Sequence, residues 1–442
     1  MRTMNPSVEM SSKKAGLIKA FEQLERQQAG SDTPFLRRLR SSGIARFDQL
    51  GFPGTRDEEW RFTPLNALYQ QPFIPVTSRP DYDQEAIIRR ANIFPESIPL
   101  VFLDGYMLPL PGNVKLPSGC QVLSLQNSLK TKHEWLESTL GRLASIESNT
   151  FAALNTAYLQ DGVVIHLSKN CVVEQPFHLS FLESSQGHIS FPRILVIAEQ
   201  HSQATIIETH RSIGEQADFT LAVSEFALAE EARIDHYRVN EVNKQSFHFV
   251  TQHSRLARGS NFRSHAFTLG GSLVRNDLFA YLGAENGECT LNGLYTADGT
   301  RLVDNHTTID HAMPHCNSHE VYKGIITDQA KGVFNGKIFV RQDAQKTDAK
   351  QTNQTLLLSP DATIDTKPQL EIFADDVKCT HGATVGQLDA EMLFYLRSRG
   401  ISPQEAQSIL TYAFANDIIG RVEVEPLRNA LERRFLSTNP VM

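Results

Sequence analysis

The spacing of hydrophobic residues changes twice along the chain. Up to about residue 160, apolar residues recur at helical spacing, as Leu17, Phe21 and Leu24 do, and proline-rich connections separate the helical segments. Short apolar or alternating runs with polar turns then follow one another, and apolar stripes at helical spacing return near the end. The pattern predicts a largely helical domain at 1–160, a β-rich core at 161–385 and a helical domain at 386–442.

Within the β-rich core, turn-then-strand units recur at a regular interval. Alignment of Ala204, Ala232, Ser260 and Glu288 places 28 residues between successive units. A constant interval is typical of a solenoid, in which each coil buries its apolar face only against its neighbours. Because no amphipathic helix interrupts the strands, a doubly wound α/β sheet is disfavoured. We therefore expect a mainly β protein built on a β-solenoid, and a β-sandwich is the alternative that the pattern leaves open.

The helical termini carry clear boundary signals. Thr33 supplies an N-cap before a proline, and Ser402 and Glu405 form a capping box around another. The C-terminal apolar stripes comprise Leu388, Met392, Tyr395 and Leu396, then Ala406, Ile409, Leu410, Ala413 and Phe414. A helical appendage on a solenoid either caps the open end or docks a partner, and the sequence leaves both roles open.

Composition and charge exclude several function classes. The 442 residues carry a formal net charge of −7, which argues against a general nucleic-acid binder. No apolar run approaches the roughly 20 residues of a membrane helix, and the N-terminus lacks the apolar core of a signal peptide, so we expect a cytoplasmic location. The five cysteines form no CxxC pair, which predicts reduced thiols. P-loop, GxGxxG and GxSxG motifs are all absent.

The densest set of potential metal ligands lies between residues 306 and 319. It comprises His306, His311, His315, Cys316 and His319. Their spacing matches neither a two-Cys, two-His zinc finger nor a helical HExxH site. Because the surrounding residues alternate like a strand, the first and last ligands need not converge. We expect solvent-facing and interface histidines here rather than a structural metal.

Cys379 and His381 stand two residues apart in a segment with the pattern of a strand. Side chains alternate across a strand, so the thiol and the imidazole are expected to project from the same face. Such a pair suits transition-metal or sulfur handling better than hydrolysis. Two residues cannot complete a tetrahedral site, so further ligands would have to come from elsewhere in the chain or from a partner. Simple packing inside the last coil is the alternative.

Two adjacent carboxylates precede this pair. Asp375 and Asp376 could serve as the paired acids of a solenoid enzyme that cleaves acidic sugars. Neighbours on a strand point to opposite faces, however, so they cannot easily share one proton or one metal. We therefore predict that both are solvated turn acids.

Several longer motifs resemble the SufB/SufD family. They are RDEEWRFT at 56–63, GVFNGKI at 332–338, AQKTDA at 344–349, QTNQ at 351–354, DTKPQLEI at 365–372, DDVKCTHGATVG at 375–386 and LFYLRSRGI at 393–401. The resemblance extends from about residue 50 to about residue 420. Within the family, the VKCTHGATVG ending and the lack of a clustered N-terminal cysteine motif are more similar to the SufD members than to SufB.

The resemblance implies a fold and a set of partners. The fold is a right-handed parallel β-helix flanked by N- and C-terminal helical domains. The partners are SufB, which pairs with the β-helix edge, and two copies of the ATPase SufC, in a non-catalytic scaffold for iron–sulfur cluster assembly. The implied SufC-docking residues lie in the C-terminal helices: Leu388, Met392, Tyr395, Leu396, Ile409, Leu410 and Phe414.

The resemblance also implies a partial site for the cluster. The position of His381 is expected to help hold iron or the nascent cluster at the SufB interface, and the role of Cys379 is less certain. No cofactor is expected to bind tightly to this chain alone, and whether a flavin joins the complex is left open. Because exposed β-helix edges tend to pair, we expect a homodimer when the chain is isolated.

Two other functions remain as alternatives. A stand-alone solenoid enzyme acting on polysaccharide would need a groove lined with several carboxylates, and it would usually be exported. A purely structural scaffold would use Cys379 and His381 only for packing.

Overall fold

The computed structural model describes residues 6–28, 30, 32–112, 114–131, 134–184 and 186–438. Its helices are α1 (Pro6–Gln28), α2 (Pro34–Leu50), α3 (Asn66–Tyr69), α4 (Gln84–Ala91), α5 (Leu125–Thr131), α6 (Glu134–Thr139), α7 (Thr150–Ala157), α8 (Ala390–Ser398), α9 (Pro403–Ile419) and α10 (Glu425–Thr438), with a 3-10 turn at Glu58–Trp60.

Between α7 and α8 the described chain is built from β-strands, and shorter strands lie among the N-terminal helices. In chain order they are β1 (Ile74–Pro75), β2 (Ile98–Leu103), β3 (Tyr106–Met107), β4 (Cys120–Ser124), β5 (Val163–Leu167), β6 (Phe177–Glu183), β7 (His188–Ser190), β8 (Arg193–Ala198), β9 (Gln203–Ser212), β10 (Phe219–Leu228), β11 (Arg233–Glu241), β12 (Phe247–Leu256), β13 (Asn261–Thr268), β14 (Leu273–Leu282), β15 (Glu288–Ala297), β16 (Leu302–His311), β17 (Asn317–Ile326), β18 (Lys331–Val340), β19 (Asp348–Leu357), β20 (Thr363–Ile372) and β21 (Lys378–Gly386).

The strands wind into a parallel β-solenoid of about eight turns. From β8 onward, even-numbered strands pair in parallel in one sheet and odd-numbered strands pair in parallel in the other. Each coil therefore contributes one strand to each sheet, and its side chains meet inside. The predicted parallel solenoid between two helical regions is confirmed, and the β-sandwich alternative is wrong.

The coil length varies, unlike the constant 28-residue interval that the sequence predicts. Arg233 lies beside Asn261, which is 28 residues further on, but Ala204 lies beside Ile234 and not beside Ala232. Along the ten-stranded sheet from β6 to β21, neighbouring positions are separated by 27 to 31 residues. Only the strands must keep register, so turns at the surface can gain or lose residues.

The N-terminal helices pack on the outer face of the eleven-stranded sheet. Trp60 and Phe151 from the helical region join Phe219 and Phe249 of the sheet in one buried aromatic cluster. Helices α2 and α7 approach closely at Gly43, where an added Cβ would lie 2.6 Å from a backbone nitrogen of α7. This packing orders the segment between α2 and α3 against the outer face of the sheet.

The C-terminal helices pack on the outer face of the other sheet. Helices α9 and α10 bury Ile418, Leu427 and Leu431 against Tyr237 and Leu294. The predicted caps are present, since Ser402 and Glu405 form the capping box of α9 and Thr33 caps α2. Helix α8 buries none of its residues. None of the described helices is long and apolar enough to cross a membrane.

Candidate functional site: the open end of the solenoid

The solenoid ends in a coil that nothing covers within the described chain. Strands β20 and β21 are the terminal members of their two sheets, so each pairs with a neighbour on one side only. Every residue of β21 except Cys379 is exposed, whereas the inward residues of the earlier coils are buried. A free strand edge of this length presents unpaired backbone donors and acceptors to a partner strand.

Cys379 and His381 lie on the inward side of β21. In the register with β19 they stand beside Ala349 and Gln351, both of which are buried in the interior. Register neighbours in parallel strands share a face, so the thiol and the imidazole both project over the open mouth of the solenoid. The sequence alone does not show whether the two side chains face this mouth or the outer surface of the solenoid.

The two side chains differ in exposure. Cys379 is half-buried against the apolar cluster of Val340 and Ala349, and its burial raises the pKa of the thiol. A raised pKa keeps the sulfur protonated near neutral pH, which makes it a poor ligand unless a metal displaces the proton. The imidazole of His381 is exposed. His381 is therefore the more accessible of the two side chains.

The residues expected to dock SufC do not form one continuous exposed surface. In α8, Met392 and Tyr395 are more than half exposed, as is Phe394, which the sequence-based set omitted. Phe414 packs under the cation of Lys323, with the Lys323 Nζ 4.5 Å from the ring centroid. The remaining members of the expected set are half-buried: Leu388, Leu396, Ile409 and Leu410. The exposed apolar side chains of this region thus lie on α8.

The five potential ligands between residues 306 and 319 are scattered. His306 lies on the outer face of its strand, against Glu59. His311 is buried inside the solenoid and shares a hydrogen bond of 2.9 Å with Ser318 Oγ, and Cys316 is buried in a turn. The expectation of solvent-facing side chains is right for His315 and His319 and wrong for His311. In the described part of the chain no three His, Cys, Asp or Glu side chains are grouped as a metal site.

Asp375 and Asp376 are exposed in the turn between β20 and β21, as predicted. Asp376 forms an ion pair with Lys346 on the neighbouring coil. Neither carboxylate lies inside the solenoid, so neither is placed for acid–base chemistry at its mouth.

The RDEEWRFT segment at 56–63 crosses the outer face of the solenoid, a role that the sequence does not reveal. Glu59 Oε2 lies 3.0 Å from His306 Nδ1, Thr63 Oγ1 donates to Asp304 Oδ2 at 2.6 Å, and Arg275 Nη1 donates to the Glu59 carbonyl oxygen at 2.8 Å. These partners belong to β14 and β16. We call residues 56–63 the strap.

The strap also reaches the last coil and shapes the charges around it. Glu58 forms an ion pair with Lys367 on β20, the terminal strand of its sheet. Burial alone would lower the pKa of His306, but the carboxylates of Asp304 and Glu59 outweigh it and raise the pKa to about 9. His306 is therefore an imidazolium held between two carboxylates near neutral pH.

Comparison with known proteins decides the family. The SufBD core domain of the SUF system for FeS cluster assembly matches residues 181–414, and the SufBD N-terminal region matches residues 10–179. The chain belongs to the SufBD family.

Individual relatives cover most of the chain. SufD of Escherichia coli is 33% identical over 392 residues, which are 87% of this chain and 89% of SufD. A SufBD family protein of Synechocystis sp. is 33% identical over 419 residues, covering 92% of this chain and 91% of that protein. The chloroplastic protein ABCI7 of Arabidopsis thaliana is 26% identical over 407 residues, 89% of this chain and 84% of its own length. The likeness thus spans both the helical regions and the solenoid.

Proposed function

We propose that this SufBD family member is a non-catalytic scaffold subunit for iron–sulfur cluster assembly, with SufB and the ATPase SufC as partners. The observation that carries the proposal is the free edge of β21, which bears an exposed imidazole over the mouth of the solenoid. The family membership supplies the process, because the E. coli relative is an iron–sulfur cluster assembly protein.

The free edge is the proposed pairing surface for SufB. Lys378 N–H donates to the carbonyl oxygen of Thr347, the residue that precedes β19, so the alternating residues Cys379, His381 and Ala383 direct their backbone N–H groups away from β19. These groups are available to a strand of SufB, or to a second copy of this chain when it is isolated. Pairing would bring SufB side chains next to His381.

The proposed site is half of a ligand set. His381 would contribute one nitrogen to iron or to a nascent cluster, and SufB would contribute thiolates; Cys379 would be a secondary ligand because its thiol is protonated and partly packed. The cluster is cargo of the complex, so this chain alone is proposed to hold no cofactor tightly.

Helix α8 is the proposed contact for SufC. Its three most exposed apolar side chains, Met392, Phe394 and Tyr395, lie on a helix that buries no residue. Apolar and aromatic anchors of this kind dominate the energy of helix-mediated interfaces. ATP binding to SufC would then act on the solenoid through α8 and α9.

A proline at the free edge tests the pairing. Ala383→Pro removes an outward N–H without removing a bond to β19, so it is expected to abolish co-purification with SufB and to leave SufC binding intact. The matched control is Ala383→Ser, which keeps the N–H. A proline elsewhere in the solenoid, such as Ala227→Pro, is unsuitable as a control because β10 is an inner strand with neighbours on both sides. Retained SufB binding by Ala383→Pro would show that the pairing surface lies elsewhere.

A further inference from the structure

A buried glutamine lies directly beneath His381, one coil further into the solenoid. Gln351 is the register neighbour of His381 and is 1% exposed. Its Nε2 donates to Glu320 Oε2 at 2.7 Å, and Glu320 is the register neighbour of Gln351 on β17 and is also 1% exposed. Three polar side chains, those of His381, Gln351 and Glu320, therefore form a stack that runs from the mouth of the solenoid into its interior.

The opposite sheet leaves space for this glutamine. A Cβ added at Gly336 of β18 would lie 2.4 Å from Gln351 Nε2. Any other residue at this position would displace the amide from its contact with Glu320. Gly336 thus lets the Gln351 side chain lie across the interior in one fixed orientation.

That orientation leaves the amide oxygen of Gln351 available. With Nε2 bound to Glu320, Oε1 accepts no hydrogen bond from the described residues and is buried. A buried acceptor without a partner is unfavourable, which favours any donor that can reach it. Neighbouring strands lie about 4.8 Å apart, and His381 is the register neighbour of Gln351 at the open end, so its ring is the donor placed nearest along the strand stack.

We infer that Gln351 is a positioning residue for His381, and this inference rests on the proposed role of His381 as a ligand. The ring nitrogen nearer to Gln351 donates its N–H to Oε1, and the other nitrogen is left deprotonated and directed out of the mouth. Histidines that bind metals generally donate their second N–H in this way, which fixes the tautomer and the ring orientation. With Nε2 bonded to Glu320, the oxygen end of the amide is the one left for the histidine.

The tautomer of His381 in the full-length isolated chain tests the inference. Nitrogen-15 NMR of histidine-labelled protein reports which ring nitrogen carries the proton, and the His381 signal is assigned by its loss in His381→Ala. We expect one dominant tautomer in the wild type and a mixture in Gln351→Leu. Gln354→Leu is the matched control, because Gln354 lies on the same strand with its side chain on the opposite face.

A double variant separates the loss of the Gln351 amide from the effect of misfolding. Gln351→Leu removes the amide that donates to buried Glu320, whereas Glu320→Leu with Gln351→Leu replaces both partners by apolar groups, a change that can be nearly neutral for stability. The double variant should also show the mixture of tautomers. An unchanged His381 tautomer in a folded Gln351→Leu or double variant would overturn the inference.

Separate measurements test the role of Gln351 and the ligand role of His381. In the complex with SufB and SufC, loss of a residue that orients a ligand typically lowers affinity or activity roughly 10- to 100-fold, and we expect that loss of cluster formation for Gln351→Leu. If His381→Ala has no effect on cluster formation, the proposed ligand role falls. The tautomer measurement on the isolated chain still decides whether Gln351 orients the ring.

Discussion

Glu59 and His306, which are 247 residues apart in the chain, form an ion pair with 3.0 Å between Oε2 and Nδ1. The pair joins the strap to the outer face of the solenoid, and Glu58 extends the contact to Lys367 on the last coil. The N-terminal region is thereby fastened to the coil next to the proposed SufB edge.

The pair predicts a pH dependence of stability. The pKa of His306 is raised to about 9 in the folded chain, from an ordinary value of 6.5. A histidine with a raised folded-state pKa stabilises fully below its unfolded pKa, and the stabilisation is lost as the pH rises from about 6.5 through about 9. The free energy of unfolding should therefore fall more over this range in the wild type than in His306→Gln.

Denaturant titrations at a series of pH values measure this difference. His319→Gln is the control, because His319 is exposed on an outward position of β17. If the wild type and His306→Gln lose stability in parallel between these pH values, the strap is not held by a protonated histidine.

A second prediction concerns the buried ion pair of Arg193 and Glu225. Both side chains are fully buried, and Glu225 also accepts from the backbone N–H groups of Gly141, Leu143 and Ala144 at 3.0 Å each. Glu225→Ala leaves a buried cation and three amides unpaired, so it should lower the free energy of unfolding by about 3–5 kcal/mol. Chemical denaturation measures the loss.

An exposed glutamate provides the comparison for this variant. Glu215 lies in the turn between β9 and β10 and is exposed. Glu215→Ala should change the free energy of unfolding by no more than about 0.5 kcal/mol. Equal effects of the two substitutions would mean that the Glu225 network does not hold the N-terminal region to the solenoid.

A third prediction concerns SufC binding through α8. Met392→Ser together with Tyr395→Ser should weaken binding of SufC about 10-fold or more, because each removes an exposed apolar anchor. The melting temperature should stay unchanged, since neither side chain is buried. Isothermal titration calorimetry with purified SufC gives the affinity.

Val172→Ser is the matched control for this surface. Val172 is 51% exposed, similar to Met392 at 56% and Tyr395 at 58%, but it lies near the first coils of the solenoid. If the double α8 variant keeps the wild-type affinity for SufC, the docking site lies instead at the half-buried residues of α9.

The sequence was sufficient for the architecture and insufficient for the orientation of the site. Short apolar runs such as β5 and β10 predict strands because that pattern is local, and the recurrence of such units at a regular interval predicts a solenoid. Register depends on turn lengths that sequence spacing does not determine, so Ala204 was aligned with Ala232 although it lies beside Ile234. Long-range pairs such as Glu59 and His306 are likewise set by packing, not by local pattern.

The same limit applies around His381. Alternation predicts that Cys379 and His381 share a face, but only the coils beneath show that this face is the interior. The polar stack of His381, Gln351 and Glu320 joins residues 30 or more positions apart in sequence. Charged and amide side chains inside a core contradict the apolar expectation for inward positions, and sequence patterning therefore gives no signal for them.

The proposed role of His381, at the open end of the solenoid, is to complete a cluster site with SufB. The most direct test is the rate of cluster formation, followed by iron and sulfide analysis, in the complex reconstituted with SufB and SufC. His381→Ala should lower the rate roughly tenfold or more, whereas His319→Ala, an exposed histidine two coils away in the same sheet, should not change it. A His381→Ala complex that assembles clusters at the wild-type rate would contradict the claim.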